Sequence, residues 1–504
     1  MAFRPLEHLP DDAFNRDLVA KVHPAGWSNP EPARRYNLVV VGAGTAGLVT
    51  AAGASTLGAK VALVEREFMG GDCLNFGCVP SKALIRSARV IGELRRAAEL
   101  GIEVPAGVKV DFPAIMNRMR KLRAELSPAD SAERFRGLGA DVFFGDAKFV
   151  APDCVEVEGK KLRFKKALIA TGARAAEPQI PGIAAAGYLT NETIFSLNEL
   201  PLRMAVIGAG PIGCELAQTF QRLGTQVTLL EMAPQILIRE DPDAAAIIEA
   251  SLKRDGVEIR TGCRIVSVAR RDNERVITLE QVGEIVIDEI LVGVGRTPAV
   301  EGLSLDEAKV QYDRERGIVV DDHLRTTNPL IFAAGDVAST YKFTHLSDAH
   351  ARIAIRNALF MGRSRVSALT IPWCTYTDPE IAHVGLSEAE AKTRGVAIKT
   401  FMQPLAEVDR AVLDGETEGF VKIHVKEGTD QIAGATIVAS HAGEMISEIT
   451  TAIAGGVGLG RIGDIMHPYP TQADAIRRTS GLYSRTRLTP LVANLFRRWF
   501  ALTR

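Results

Sequence analysis

One short grammar occurs twice in this chain: an apolar β-rich run, a glycine-rich turn, a helical pattern, and a second apolar run closing on a glutamate. The first copy reads Asn37-Leu38-Val39-Val40-Val41, then Gly42, Gly44 and Gly47, and closes on Glu65. The second reads Met204-Ala205-Val206-Ile207, then Gly208, Gly210 and Gly213, and closes on Glu231. In both copies the acid lies 23 positions after the first glycine. A lone G-x-G-x-x-G is weak, because glycines often merely serve a turn. Two of them in one setting, at one spacing, predict two dinucleotide-binding units. The first glycine makes the turn, the second lets a pyrophosphate approach the backbone, and the third lets helix pack on strand, with the phosphate at the helix N-terminus.

Downstream of the first copy lies Gly70-Gly71-Asp72-Cys73-Leu74-Asn75-Phe76-Gly77-Cys78-Val79-Pro80-Ser81-Lys82. Five residues of regular helix rise ~7.5 Å, beyond the ~7 Å Cα separation that a disulfide tolerates. Pairing Cys73 with Cys78 therefore needs an irregular turn, which Gly77 permits, and strained pairs are the reducible ones. A structural disulfide or a metal site is the plainer alternative. Only 6 cysteines occur in 504 residues, which excludes a disulfide-rich scaffold. A zinc site would want a second Cys or His pair nearby, and none is present. Cys154, Cys214, Cys263 and Cys374 stand alone and read as small buried hydrophobes.

Length alone suggests about three domains. The 60 basic residues balance 61 acidic ones, for a net charge of −1, so no overall field draws the chain to nucleic acid. No apolar run approaches the ~18 uncharged residues of a membrane helix, and Met1 to Asp17 hold too many acids for a signal peptide. A cytoplasmic protein is expected, where thiols are kept reduced and a catalytic disulfide can cycle.

The cysteine segment resembles the GGxCxxxxCxPxK signature of the pyridine nucleotide-disulfide oxidoreductase family, which holds dihydrolipoamide dehydrogenase, glutathione reductase and mercuric reductase. Ala170-Thr171-Gly172-Ala173 and Phe332-Ala333-Ala334-Gly335-Asp336 resemble its flavin-domain signatures, and Tyr376-Thr377-Asp378-Pro379-Glu380-Ile381-Ala382-His383-Val384-Gly385 resembles the start of its interface domain. The resemblance implies an α/β fold with two Rossmann-like dinucleotide-binding domains, the nicotinamide domain inserted in the FAD domain, and an α+β C-terminal dimerisation domain. The expected division is an N-terminal extension over 1–35, an FAD domain over 36–160 and 300–365, an NAD(P) domain with connecting segments over 161–299, a dimerisation domain over 371–485 and an amphipathic tail over 486–504. A homodimer is implied, since family members borrow active-site residues from the partner's last domain. Tightly bound FAD is expected at Gly42, Gly44, Gly47, Glu65, Gly71, Asp72, Thr171, Gly172 and Asp336, with Asp336 on the ribityl chain. The nicotinamide coenzyme is expected at Gly208, Gly210, Gly213, Glu231 and Gly295. A carboxylate at 231 suits the free ribose hydroxyls of NADH and repels a 2′-phosphate, and Met232, Ala233 and Pro234 offer no arginine to hold one. NADH is therefore favoured over NADPH.

By the same resemblance, hydride from NADH reaches the flavin, the electron pair reaches Cys73–Cys78, and a substrate takes it from there. Cys73 is then the interchange thiol and Cys78 the thiol against the flavin. Lys82, one turn beyond Cys78, places positive charge near the ring and pairs with Glu215.

The family's disulfide-reducing members carry His-Pro-Thr-x-x-Glu, which supplies an acid–base histidine and its orienting carboxylate. Here the segment reads His467-Pro468-Tyr469-Pro470-Thr471-Gln472-Ala473-Asp474. Aligning Pro470-Thr471 puts Tyr469 in place of the histidine and Asp474 in place of the glutamate. Aligning His467-Pro468 leaves Gln472 at the acid position, a poorer fit. Tyrosine, with an ordinary pKa near ~10, is a poor base between thiols, but it suits a metal–thiolate. Mercuric reductases resemble the sequence in this tyrosine, and Hg(II), held transiently by Cys73 and Cys78, becomes the expected substrate. Against it stand Asp72 in place of that branch's threonine, a tail without cysteines and no N-terminal CxxC module. A dihydrolipoamide dehydrogenase-like enzyme using His467 is the alternative, and a flavoprotein redox sensor the non-enzymatic one. The extension ahead of residue 36 is expected to be a surface arm. The tail, with Leu491, Leu495, Phe496, Trp499 and Phe500 near helical spacing, is expected to dock on the protein's own body rather than on a membrane.

Overall fold

A computed structural model describes residues 7–280 and 283–504. The first fingerprint strand, Tyr36–Val41, is central to a seven-stranded sheet. It pairs in parallel with Val61–Glu65 on one side and Lys160–Ile169 on the other. Asp141–Phe144 extends the sheet beyond Val61–Glu65, and Ile331–Ala333 lies parallel against Ala167–Ile169. Strand Lys160–Ile169 thus carries this sheet past residue 160. Near-continuous apolar residues in Tyr36–Val41 and Val61–Glu65 reflect cover on both faces, as parallel sheets require.

The second fingerprint builds a four-stranded parallel sheet ordered Glu258–Arg260, Gln226–Leu230, Arg203–Ile207, Glu289–Val292. A three-stranded antiparallel sheet over Ile265–Ile287 sits beside it. The last unit is a five-stranded antiparallel sheet, with Glu380–Gly385, Ile432–Ala439 and Phe420–Lys426 at its centre, and helices Ala442–Ala454 and Asp474–Thr486 packed on it. The α/β architecture expected from sequence is therefore present.

The three units meet at one buried arginine. Gly92, on helix Cys78–Arg96, leaves room for the Arg222 guanidinium, which a Cβ there would approach to 2.7 Å. Arg222 donates from Nε to Asp255 at 2.8 Å and from Nη1 to Asp378 at 2.8 Å. A buried ion pair of this kind fixes relative position, because losing one partner strands a charge.

Both terminal expectations are corrected. The N-terminal segment is an integral layer: helix Ala13–Val22 buries Asn15, Leu18 and Val22. Arg123, fully buried, donates to Asn15 Oδ1 at 2.6 Å and to the carbonyl of Asn75 at 2.7 Å. His8 Nε2 donates to Asn75 Oδ1 at 2.9 Å, and the ring stacks on Phe76 at 4.8 Å. The segment therefore braces the helix that carries Cys73, and its Pro-rich, charged composition concealed that role. At the other end, helix Pro490–Leu502 buries none of its residues, so the tail does not dock on its own body.

The first correction has a measurable consequence. Leu18→Ala should lower the unfolding free energy by about 2–5 kcal/mol, the usual cost of emptying a buried leucine site. Urea denaturation reads it, and a change within about 0.5 kcal/mol would return the segment to the status of a surface arm.

Candidate functional site

One cavity of about 2960 Å³ runs from the first fingerprint past the two cysteines to the second. Its lining includes Gly42, Gly44, Glu65, Cys73, Cys78 and Lys82 from the first unit, and Gly208, Gly210, Glu215 and Glu231 from the second. Gly71, Asp72, Thr171, Gly172, Gly295 and Asp336 line it as well.

The two glycine turns are built alike. A Cβ on Gly47 would fall 1.8 Å from the Gly42 carbonyl oxygen, and one on Gly213 would fall 1.9 Å from that of Gly208. Gly42 and Gly208 have φ of 101° and 98°, a region that favours glycine. The middle glycines differ in a telling way. Gly210 has nothing within 4 Å of a built Cβ, and Gly44 has only the Gly71 Cα at 3.7 Å. Bare backbone faces open space where a pyrophosphate would lie. Glu65 accepts the Ala43 N–H at 2.7 Å, and Glu231 accepts the Ala209 N–H at 2.7 Å. The residues present therefore fit two dinucleotides.

Cys73 lies in the middle of a short helix, Gly71–Asn75, and Cys78 opens the next, Cys78–Arg96, with an irregular step at Gly77 (φ −128°, ψ −113°). This break lets the pair face each other. Both are thiols here. The Cys73 thiol hydrogen-bonds Cys78 and thereby draws the Cys78 pKa down to about 6, with help from Thr344 and the positive charge of Lys82 against the opposing effect of burial. Thr344 Oγ1 lies 3.4 Å from the Cys78 sulfur. Cys73 is pushed the other way by the same hydrogen bond and by burial. The reduced pair thus holds one proton on Cys73 and a thiolate on Cys78, as a reactive site requires.

Lys82 Nζ lies 2.9 Å from Glu215 Oε2. Burial opposes its charge, but the Glu215 carboxylate holds the ammonium protonated. Glu215 also accepts the Tyr376 N–H at 2.9 Å, and Lys82 sits 4.4 Å over the Tyr376 ring. Asp72 accepts from Asn191 at 2.9 Å and pairs with Arg296 at 3.1 Å. Arg296 lies 3.9 Å from Asp336 as well, whose own pKa is raised by burial.

Sequence reasoning missed Thr344, Asn191, Arg296 and Glu240. Each reaches the site through tertiary packing and carries no local signal. Glu240 is buried against Trp373, whose Nε1 donates to it at 2.7 Å, and burial pushes its carboxyl up to about 7.

Tyr469, Asp474 and His467 are not brought to this cavity within one chain. Tyr469 is 71% exposed and donates to Asp409 at 2.9 Å. Asp474 is buried and reaches the same network through Arg478, which bridges it to Asp409. His467 pairs with Glu448 at 2.9 Å.

A pH titration checks the thiolate. Ultraviolet thiolate absorbance of the reduced protein, taken as the difference from Cys78→Ser, should appear as pH rises through about 6. It should be lost below that value. Lys82→Met should move the midpoint up by about one unit; an unchanged midpoint would remove the lysine from the explanation.

The chain matches the profile described as pyridine nucleotide-disulphide oxidoreductase over residues 36–354, and that family's dimerisation domain over residues 371–480. It is 34% identical to a mercuric reductase of Staphylococcus aureus over 445 residues, which is 88% of this chain and 81% of that protein. It is 33% identical to a dihydrolipoyl dehydrogenase of Mycoplasma pneumoniae over 443 residues, covering 86% of this chain and 96% of that protein. Among solved structures it resembles the HOCl-induced flavoprotein disulfide reductase RclA from Escherichia coli, with a TM-score of 0.79 and 28% identity, covering 89% of this chain and 100% of that one. Doubled glycine turns facing one thiol pair, and a profile match through most of the sequence, make this chain a member of the pyridine nucleotide-disulphide oxidoreductase family.

Proposed function

We propose that the protein is a mercuric reductase-like flavoenzyme, reducing Hg(II) or another thiophilic acceptor at Cys73 and Cys78 with electrons from NADH. The observation that carries the choice is Tyr469 in the register of the acid–base histidine. Its hydroxyl is committed to the Asp409 carboxylate, which raises its pKa further from the neutral range. Such a group does not accept protons between thiols at neutral pH, but a metal held by two thiolates needs no protonated leaving thiol. Binding of Hg(II) displaces the one proton left on Cys73, and conversion of the resulting dithiolate to the disulfide releases two electrons that take Hg(II) to Hg(0).

In this reading Gly42, Gly44, Gly47, Glu65, Gly71, Asp72, Thr171, Gly172 and Asp336 hold FAD, while Gly208, Gly210, Gly213, Glu231 and Gly295 hold the nicotinamide coenzyme. Bound FAD supplies hydride and electron-pair chemistry between NADH and the disulfide. Lys82, fixed by Glu215, keeps positive charge beside the Cys78 thiolate. Two copies associate through the last domain, so that Tyr469 and Asp474 of one subunit serve the cysteines of the other. A cytoplasmic setting, with no nucleic acid partner, completes the proposal; no helix among the described residues is long and apolar enough to cross a membrane.

The hydrogen bond of His467 to Glu448 favours a second reading. An imidazole oriented by a carboxylate is the arrangement of a general base, and His467 would then support lipoamide reduction. A panel of acceptors tests both readings: oxidation of NADH and NADPH by FAD-loaded protein with thiol-complexed Hg(II), lipoamide, glutathione disulfide and quinones. We expect Hg(II) to be the best acceptor and NADH to be preferred by roughly tenfold or more, about 1.4 kcal/mol, because the Glu231 carboxylate repels a 2′-phosphate. Robust lipoamide reduction that His467→Ala alone abolishes would replace the first reading by the second.

A further inference from the structure

Helix Pro490–Leu502 stands clear of the body, with Trp499 60% and Phe500 62% exposed. At 100° per residue Leu502, Leu495, Trp499, Phe496 and Phe500 fall on one continuous arc, and Arg497, Arg498 and Asn494 on the opposite one. Charge argues for what covers the apolar arc. Asp474 is the last acid in the sequence, whereas arginines follow at 485, 487, 497, 498 and 504. Arg477 and Arg478 are engaged by Asp474 and Asp409. The five beyond have no acidic partner among the described residues. In a chain whose net charge is only −1, this is a local concentration of positive charge directly beside an aromatic and aliphatic face.

A protein partner seated on the apolar arc alone would leave Arg497 and Arg498, on the opposite arc, without an acidic partner. An anionic bilayer surface matches both halves. Trp and Phe settle at the headgroup level, and arginines reach the phosphates from the polar side. Thirteen residues of helix rise about 20 Å, short of the ~30 Å hydrocarbon core, so the helix would lie in the surface rather than span it.

We propose that Pro490–Leu502 is a reversible membrane-surface anchor, holding the protein on an anionic bilayer through Leu495, Phe496, Trp499 and Phe500, with Arg497 and Arg498 toward the headgroups. Each arginine near such a surface strengthens partitioning roughly fivefold. The proposal does not depend on which acceptor the thiol pair reduces.

Full-length, FAD-loaded protein mixed with vesicles of phosphatidylcholine, or of phosphatidylcholine with phosphatidylglycerol, tests it by co-sedimentation. Binding should be at least about tenfold stronger on the anionic vesicles, should blue-shift tryptophan emission, and should be lost in high salt. The double variants Arg497→Glu/Arg498→Glu and Trp499→Ser/Phe500→Ser should each weaken it by about tenfold or more, with flavin spectrum and elution volume unchanged. Absence of binding, or equal binding to both vesicle types, would overturn the proposal. So would a shift in oligomeric state on replacing Trp499 and Phe500, which would assign the face to a second copy of the chain.

Discussion

Replacing Cys78 with alanine is expected to lower NADH-dependent reduction of thiol-complexed Hg(II) by a factor on the order of 10³ or more, with flavin content unchanged. The size follows from the charge arrangement at the pair. Cys78 carries the thiolate because Cys73 donates its hydrogen bond, and Lys82 and Thr344 add to the effect. Alanine removes the thiolate and half of the two-electron couple together. Cys73→Ser should be equally severe, since a serine cannot close the disulfide. The glycine turns lie outside this change, so coenzyme binding should survive in both variants. Steady-state reduction and flavin absorbance, measured on the same preparations, separate the two effects. Substantial Hg(II) reduction in either variant would move the metal chemistry away from the pair.

Tyr469→His should raise lipoamide or glutathione disulfide reduction by about 10² to 10⁴, the range that general acid–base catalysis contributes. Disulfide exchange needs a proton delivered to a leaving thiolate near neutral pH, and imidazole titrates there whereas phenol does not. The neighbouring acid is already in place: Asp409 takes the hydrogen bond from the tyrosine and is held by Arg478. Metal reduction should fall in Tyr469→Phe if the phenol donates to or ligates the metal–thiolate. If Tyr469→His leaves disulfide turnover at background, position 469 does not face the cysteines of the assembled enzyme.

The glycine turns were legible because their constraint is local. Gly47 and Gly213 exist where a Cβ would strike the turn they close, and such a requirement leaves a regular spacing in the sequence. The break at Gly77 was legible for a similar reason, since helix geometry alone forbids two cysteines five residues apart from bonding. Pairs such as Asp72 with Arg296, or Cys78 with Thr344, join positions more than two hundred residues apart. Nothing at either position announces the other. The N-terminal segment was misread because its buried contacts are few and interspersed with charges: Leu18 and Val22 reach the core, while Arg120 and Arg123 on the facing helix receive Asp12 and Asn15. A polar interface of that kind has the composition of a surface. The tail was misread in the opposite sense, because apolar spacing identifies a face without naming its cover.

Strand Ile331–Ala333 completes the first sheet against Ala167–Ile169, and this has a bearing on how the chain is made. About 160 residues separate the two partners, which takes a ribosome roughly 8 to 32 s at ~5–20 residues per second. During that interval the nascent first unit presents an unpaired strand edge, the kind of template on which chains aggregate. The inserted unit, which can form its own parallel sheet meanwhile, would emerge and fold before its host is finished. Slowing synthesis between Ile169 and Ile331 should therefore lengthen the vulnerable period, and the yield of soluble protein should depend on codon choice in that stretch more than anywhere after Ala333.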